Sequence, residues 1–197
     1  MYKYKNAPTG LYVMYIAQIG SIVSAIITVL FSQSFVLSII GALATIVFAI
    51  IYLIGLNTAG KDIDGCKTAF IITIINIIVS VVGLITGQKG FTDLLGYIFN
   101  ILVVYNVCTS VATILRTEGK EYLAEKGQTA WIMFLVADLI EIVCYLLAFV
   151  RSLYALAFIL ILVSLIVLIV SSIIYIGFLK NSSEALQNIY MGDTTES

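Results

Sequence analysis

Histidine is absent from these 197 residues. That removes the commonest general base at neutral pH and the commonest metal ligand. Charge is scarce as well. Asp, Glu, Lys and Arg together make up 11% of the chain, where soluble domains carry roughly a quarter. The ten basic and eleven acidic residues leave a net charge of −1. The basic ones are scattered through short polar segments, so the basic patch that nucleic acid requires is missing. The three cysteines, Cys66, Cys108 and Cys144, show no C-x-x-C spacing. Cys66 falls in a polar segment, and the other two fall at different depths of apolar runs. The reading is three reduced thiols, with Cys108 and Cys144 acting as small apolar residues and no disulfide or redox pair. No Walker A motif, G-x-S-x-G, H-E-x-x-H or Gly-rich dinucleotide loop occurs. The expectation is therefore no enzyme, no cofactor, no metal site and no nucleic-acid partner.

Hydrophobic residues, by contrast, make up 61% of the chain, and the mean hydropathy is +1.13. Six apolar runs stand out: Leu11–Phe31, Phe35–Leu56, Ala69–Gly87, Phe91–Leu115, Thr129–Val150 and Ser152–Leu179. Each suffices for the roughly 20 helical residues that cross about 30 Å of hydrocarbon. Period-2 alternation is absent, and runs this long exclude barrel strands of about ten residues. Helices satisfy their own backbone groups within lipid. The fold class is thus an all-α membrane protein, with six transmembrane helices over residues 1–180 and a tail over 181–197. In that tail Asn181 and Glu184 have capping-box spacing, which predicts a short interfacial helix followed by a disordered end. The basic, polar start MYKYKNAPTG reads as a signal anchor retained as the first span.

The polar connections alternate in length. Ser32–Ser34, Gln88–Gly90 and Arg151 are short, whereas 57–68 and 116–128 have about a dozen residues each. This predicts three tight helical hairpins in tandem. Lys3, Lys5, Lys61, Lys67, Arg116, Lys120, Lys126 and Lys180 fall on one side, and only Lys89 and Arg151 on the other. Positive residues mark the cytoplasmic side. Both termini should therefore be cytoplasmic in a multi-pass protein of the cell membrane. Tyr12, Tyr52, Trp131, Tyr175 and Phe178 at the inner ends, and Phe35, Phe91 and Tyr154 at the outer ends, suit an aromatic belt.

The hairpins also resemble one another, over about 8–61, 67–120 and 128–184. Odd helices begin Thr9-Gly10-Leu11, Thr68-Ala69-Phe70 and Thr129-Ala130-Trp131. Even helices end Leu56-Asn57-Thr58-Ala59-Gly60-Lys61, Leu115-Arg116-Thr117-Glu118-Gly119-Lys120 and Leu179-Lys180-Asn181-Ser182-Ser183-Glu184. From starting Thr to closing Leu is 47, 47 and 50 residues. Such matched anchors predict a threefold internal repeat, with an axis along the membrane normal. Three-repeat mitochondrial carriers are excluded, because their Pro-x-Asp/Glu-x-x-Lys/Arg signature needs more than the single Pro8 found here.

Aligned on their starting threonines, the odd helices place Gln18, Asn76 and Asp138 at about 12–14 Å above the inner boundary. Counting back from Leu115 puts Asn106 at a similar depth, with Ser171 and Ser172 close by. At these aligned positions the third copy alone carries acids. Asp138 and Glu141, three residues apart, share one helix face. A charge at mid-membrane costs at least about 2.5 kcal/mol on insertion scales, and no Lys or Arg lies within any span. Three resolutions are open. The carboxyls are held protonated, or they bind a cation with Asn and Ser oxygens, or they meet a basic residue of another membrane protein. Asp138, Glu141, Asn76, Asn106 and Gln18 are accordingly the candidate ion- or substrate-binding residues. The function this implies is a small transporter or channel-like protein. The alternative is a non-transporting scaffold or subunit whose partners are the bilayer and a second copy or another membrane protein. Hydrogen bonding among the same groups as helix glue is the purely structural account.

Overall fold

A computed structural model describes residues 4–31, 34–87, 89–147 and 153–195. Lys3, the tip residues Ser32, Gln33, Gln88 and Arg151, Val150 and Ser152 lie outside the described residues. Those described form six helices: α1 Ala7–Leu30, α2 Phe35–Ala59, α3 Asp64–Thr86, α4 Lys89–Thr117, α5 Glu121–Leu147 and α6 Tyr154–Thr195. Each is long and apolar enough to cross a membrane. Their outward faces are aliphatic. Leu84, Ile85 and Ile166 are 77, 78 and 64% exposed, a surface that water would not tolerate and lipid covers.

The helices extend further than the apolar runs. Residues 57–68 and 116–128 were expected as connections of a dozen residues, but α2 runs to Ala59, α3 starts at Asp64, α4 runs to Thr117 and α5 starts at Glu121. What remains is four residues in one case and three in the other. Hydropathy marks where a helix leaves the hydrocarbon. A helix can continue beyond that point, its end groups satisfied by caps or water, and here it does so by two to eight residues. Asp62, in the first of these short connections, accepts hydrogen bonds from the backbone N–H groups of Asn6 and Ala7 and from Asn6 Nδ2. Its carboxylate so caps the N-terminus of α1. Cys66, expected in a polar loop, is in the first turn of α3 and fully buried. All three cysteines are free thiols.

The chain forms two compact units. One comprises the residues up to Lys67 together with those from Leu179 onward, and the other is Thr68–Phe178. In the first unit α1 packs against α2, and small residues set how closely. A Cβ on Gly10 would collide with the Ala59 backbone, one on Gly20 with the Phe48 ring, and one on Gly41 with Thr28 Oγ1. The glycines of Gly20-x-x-x-Ser24 and Gly41-x-x-x-Thr45 therefore sit at close helix contacts. The paired hydroxyls serve a different end, for Ser24 donates to the Gly20 carbonyl at 2.8 Å and Thr45 to the Gly41 carbonyl at 3.0 Å. Each satisfies its own polar group inside an apolar helix.

No new helix starts at Asn181. α6 continues through Lys180 to Thr195, and at about 1.5 Å per residue its 42 residues exceed what the hydrocarbon requires. Within the first unit Ser183 Oγ donates to the Pro8 carbonyl at 2.7 Å. Ser182 and Leu186 are fully buried, as are Ala7, Leu11 and Met14 of α1. The extension has a packing partner, which a capping-box pattern read alone does not reveal.

Candidate functional site

The second unit contains both acids. Within it α4 packs against α5, and the turn between them sets the register. Gly119 adopts φ +72°, a left-handed conformation that glycine enters without steric cost. Lys120 N–H then donates back to the Leu115 carbonyl at 2.7 Å. With the reversal near there, residues at roughly equal distances from Gly119 face each other. Asn100 lies nineteen residues before Gly119 and Asp138 nineteen after it. Asn100 Nδ2 donates to Asp138 Oδ2 at 2.9 Å. Nearer the turn in the same pair, Tyr105 and Trp131 meet edge to face at 5.1 Å between ring centroids.

Asp138 and Glu141 share a helix face but not an environment. Asp138 is buried at 2% exposure, sealed and held by the Asn100 amide. Glu141 is half-buried and lines a cavity of about 450 Å³ among α4, α5 and α6. Ser164 of α6 is buried beside it, and its single hydroxyl hydrogen lies within reach of both Glu141 Oε1 at 3.2 Å and the Ala137 carbonyl at 3.3 Å. The Tyr97 phenol of α4 faces the Glu141 carboxyl. Tyr145, one turn beyond Glu141, lines the same space. Gly90 makes room for it, since a Cβ there would strike the Tyr145 hydroxyl. Ile161 and Leu165 supply an aliphatic wall, and Cys144 a thiol that contacts the Ala157 carbonyl at 3.7 Å.

α6 is fixed against α5 by aromatic packing. Phe134 and Tyr175 stack edge to face at 5.7 Å. A Cβ on Gly127 would come within 2.6 Å of the Phe178 ring. Tyr175 and Phe178, expected in an interfacial belt, are thus buried between helices. Tyr12 and Phe91 are exposed, at 49 and 60%.

The remaining candidates scatter. Asn106 turns back on its own helix, Nδ2 donating to the Leu102 carbonyl at 2.7 Å, and it meets neither acid. Ser171 does the same toward the Val167 carbonyl at 2.6 Å. Asn76 faces α4 at Gly96, the residue before Tyr97, and its Oδ1 is buried without a hydrogen-bond partner. Gln18 belongs to α1 in the first unit. Asn100, Ser164 and Tyr97 are the neighbours of the acids that sequence reasoning missed. The symmetry about Gly119 is the signal that finds Asn100. Among the described residues no group of three or more His, Cys, Asp or Glu side chains is placed to hold a metal ion. Comparison with models of known families, with curated proteins and with solved structures finds no match to this chain.

Proposed function

We propose that this chain is a small transporter or channel-like membrane protein in which Glu141 binds a proton, a cation or a small substrate. The observation that carries the reading is the division between the two acids. Asp138 is committed to Asn100, whereas Glu141 lines a cavity large enough for a ligand. An ionisable group within a span is costly unless it faces a cavity or a partner. Glu141 meets that condition with a hydroxyl and a phenol as its neighbours. Asp138 acts as a positioning residue, tying α5 to α4 one turn away from the binding acid.

The test is flux into proteoliposomes under an imposed proton or cation gradient. Glu141→Gln should abolish gradient-dependent flux while expression and thermal midpoint stay near wild type. Asp138→Asn keeps a hydrogen-bonding side chain opposite Asn100 and should retain part of it. Wild-type flux from Glu141→Gln would end this reading.

A second reading is a subunit of a membrane complex, and the incompletely buried carboxyl of Glu141 favours it specifically, because a Lys or Arg from a partner's span would neutralise it. Purification in mild detergent decides. A stoichiometric partner lost in Glu141→Gln supports the subunit reading, and recovery of the same species from both proteins speaks against it.

We also propose the finer architecture as three tandem hairpins related by an internal repeat, with both termini cytoplasmic. In its support, Gly60 and Gly119 occupy equivalent places, four residues after Leu56 and Leu115. α2 and α4 end just before them. The third copy has Ser183 at that place, and α6 runs on through it.

A further inference from the structure

Among the described residues Glu141 is the only acid lining its cavity, and the rest of that wall is unsuited to a bare metal ion. Hard cations such as Ca²⁺ take six to eight oxygen ligands at close range. Here one carboxyl, the Ser164 hydroxyl and the phenols of Tyr97 and Tyr145 are the side-chain oxygens present. A volume of about 450 Å³ falls within the range of small-molecule sites. The wall is otherwise apolar, through Ile161 and Leu165. Among the described residues no Lys or Arg lines this cavity, so an anion would find no counter-charge there. A single carboxyl matches a single positive charge. Two aromatic rings suit a cation that is large and weakly hydrated, because the ring quadrupole attracts it without requiring full coordination.

The geometry points to a monovalent organic ammonium ion as the ligand of this cavity, with its charged nitrogen at Glu141 and its apolar substituents toward Tyr97, Tyr145 and the aliphatic wall. The inference rests on the reading of Glu141 as the binding acid and narrows it to one substrate class. Ser164 positions the Glu141 carboxyl from α6, and Tyr97 approaches it from α4, so closure around the ligand involves three helices. Tyr145 acts through its ring, which makes its hydroxyl dispensable and its aromaticity not.

The experiment uses the full chain in nanodiscs and two probes of equal shape, benzyltrimethylammonium and its uncharged isostere neopentylbenzene. The expected result is saturable one-to-one binding of the ammonium that excess isostere does not compete away. Glu141→Gln should remove it. Tyr145→Leu should weaken it by about tenfold, and Tyr145→Phe should hold it near the wild-type value. Equal competition by the isostere overturns charge recognition. Equal loss in Tyr145→Phe and Tyr145→Leu overturns the role of the ring. No ammonium binding, together with proton- or sodium-driven flux that still needs Glu141, overturns the substrate class and leaves the binding acid in place. No binding, together with flux indifferent to Glu141→Gln, overturns both. Gly90→Ala gives an indirect check, since its Cβ would push on the Tyr145 hydroxyl and should lower ammonium affinity with the lining residues unchanged.

Discussion

Asp138 and Glu141 are one helical turn apart, yet the first is buried against Asn100 and the second lines a cavity. For Asp138 the governing quantity is the cost of a buried polar group left alone. Replacing Asn100 by Leu removes the donor to Asp138 Oδ2 and should destabilise the protein by about 1–3 kcal/mol. The double variant Asn100→Leu with Asp138→Leu removes both polar groups at similar volume and should recover most of that loss. Thermal unfolding of the four proteins in one detergent measures the coupling. Additive losses would mean that the 2.9 Å contact contributes little. At this scale the acids themselves were legible in the sequence, because charge within an apolar run is conspicuous. Their neighbours were not. Asn100 and Asn106 are alike in type and both lie in α4, and only the interhelical register separates them. Ser164 is a small residue in a long apolar run, where a hydroxyl normally bonds to its own helix, as Ser171 does.

Register is a property of the element, and it was lost through the connection. Reading residues 116–128 as a loop places the reversal near its middle and sets Asn106 opposite Asp138. Centring it on Gly119 shifts α4 by six residues, from Asn106 to Asn100, which is about 9 Å along the axis. The existence and order of six helices survive such an error, since each rests on some twenty apolar residues. The partner of a given side chain does not. Two substitutions test the connections. Gly119→Ala forces a Cβ into the left-handed region and should cost about 1–2 kcal/mol, while Gly119→Asn should cost less, because Asn tolerates that conformation. Asp62→Ala removes the acceptor for the Asn6 and Ala7 amides and should cost about 1 kcal/mol, as loss of an N-cap does. Thermal midpoints in detergent read both. An Ala at 119 as stable as wild type would mean that the turn relaxes to another geometry.

At the scale of the whole chain, its two ends are tied together. The Ser183 hydroxyl reaches the Pro8 carbonyl at 2.7 Å, and the buried Leu186 lies a further turn along α6. Truncation after Lys180 should therefore lower the thermal midpoint by several degrees, an effect that removing a disordered tail would not have. The tie also bears on topology. The contact puts the start of α1 and the far part of α6 on one side of the membrane, as six spans require, but a contact has no sense of inside and outside. Charge supplies that sense. By alternation of six spans, the helix ends that carry Lys5, Lys61, Lys67, Arg116, Lys120, Lys126 and Lys180 fall on one side and Lys89 on the other. The positive-inside bias then favours cytoplasmic termini. The three native thiols are buried, so a single cysteine introduced at the exposed Tyr122 reports its side with little background. Labelling by a membrane-impermeant maleimide should fail in intact spheroplasts and succeed after permeabilisation. A cysteine at the exposed Phe91 should label in both. The reverse pattern at the two sites would invert the topology, and with it the side from which the Glu141 cavity is approached.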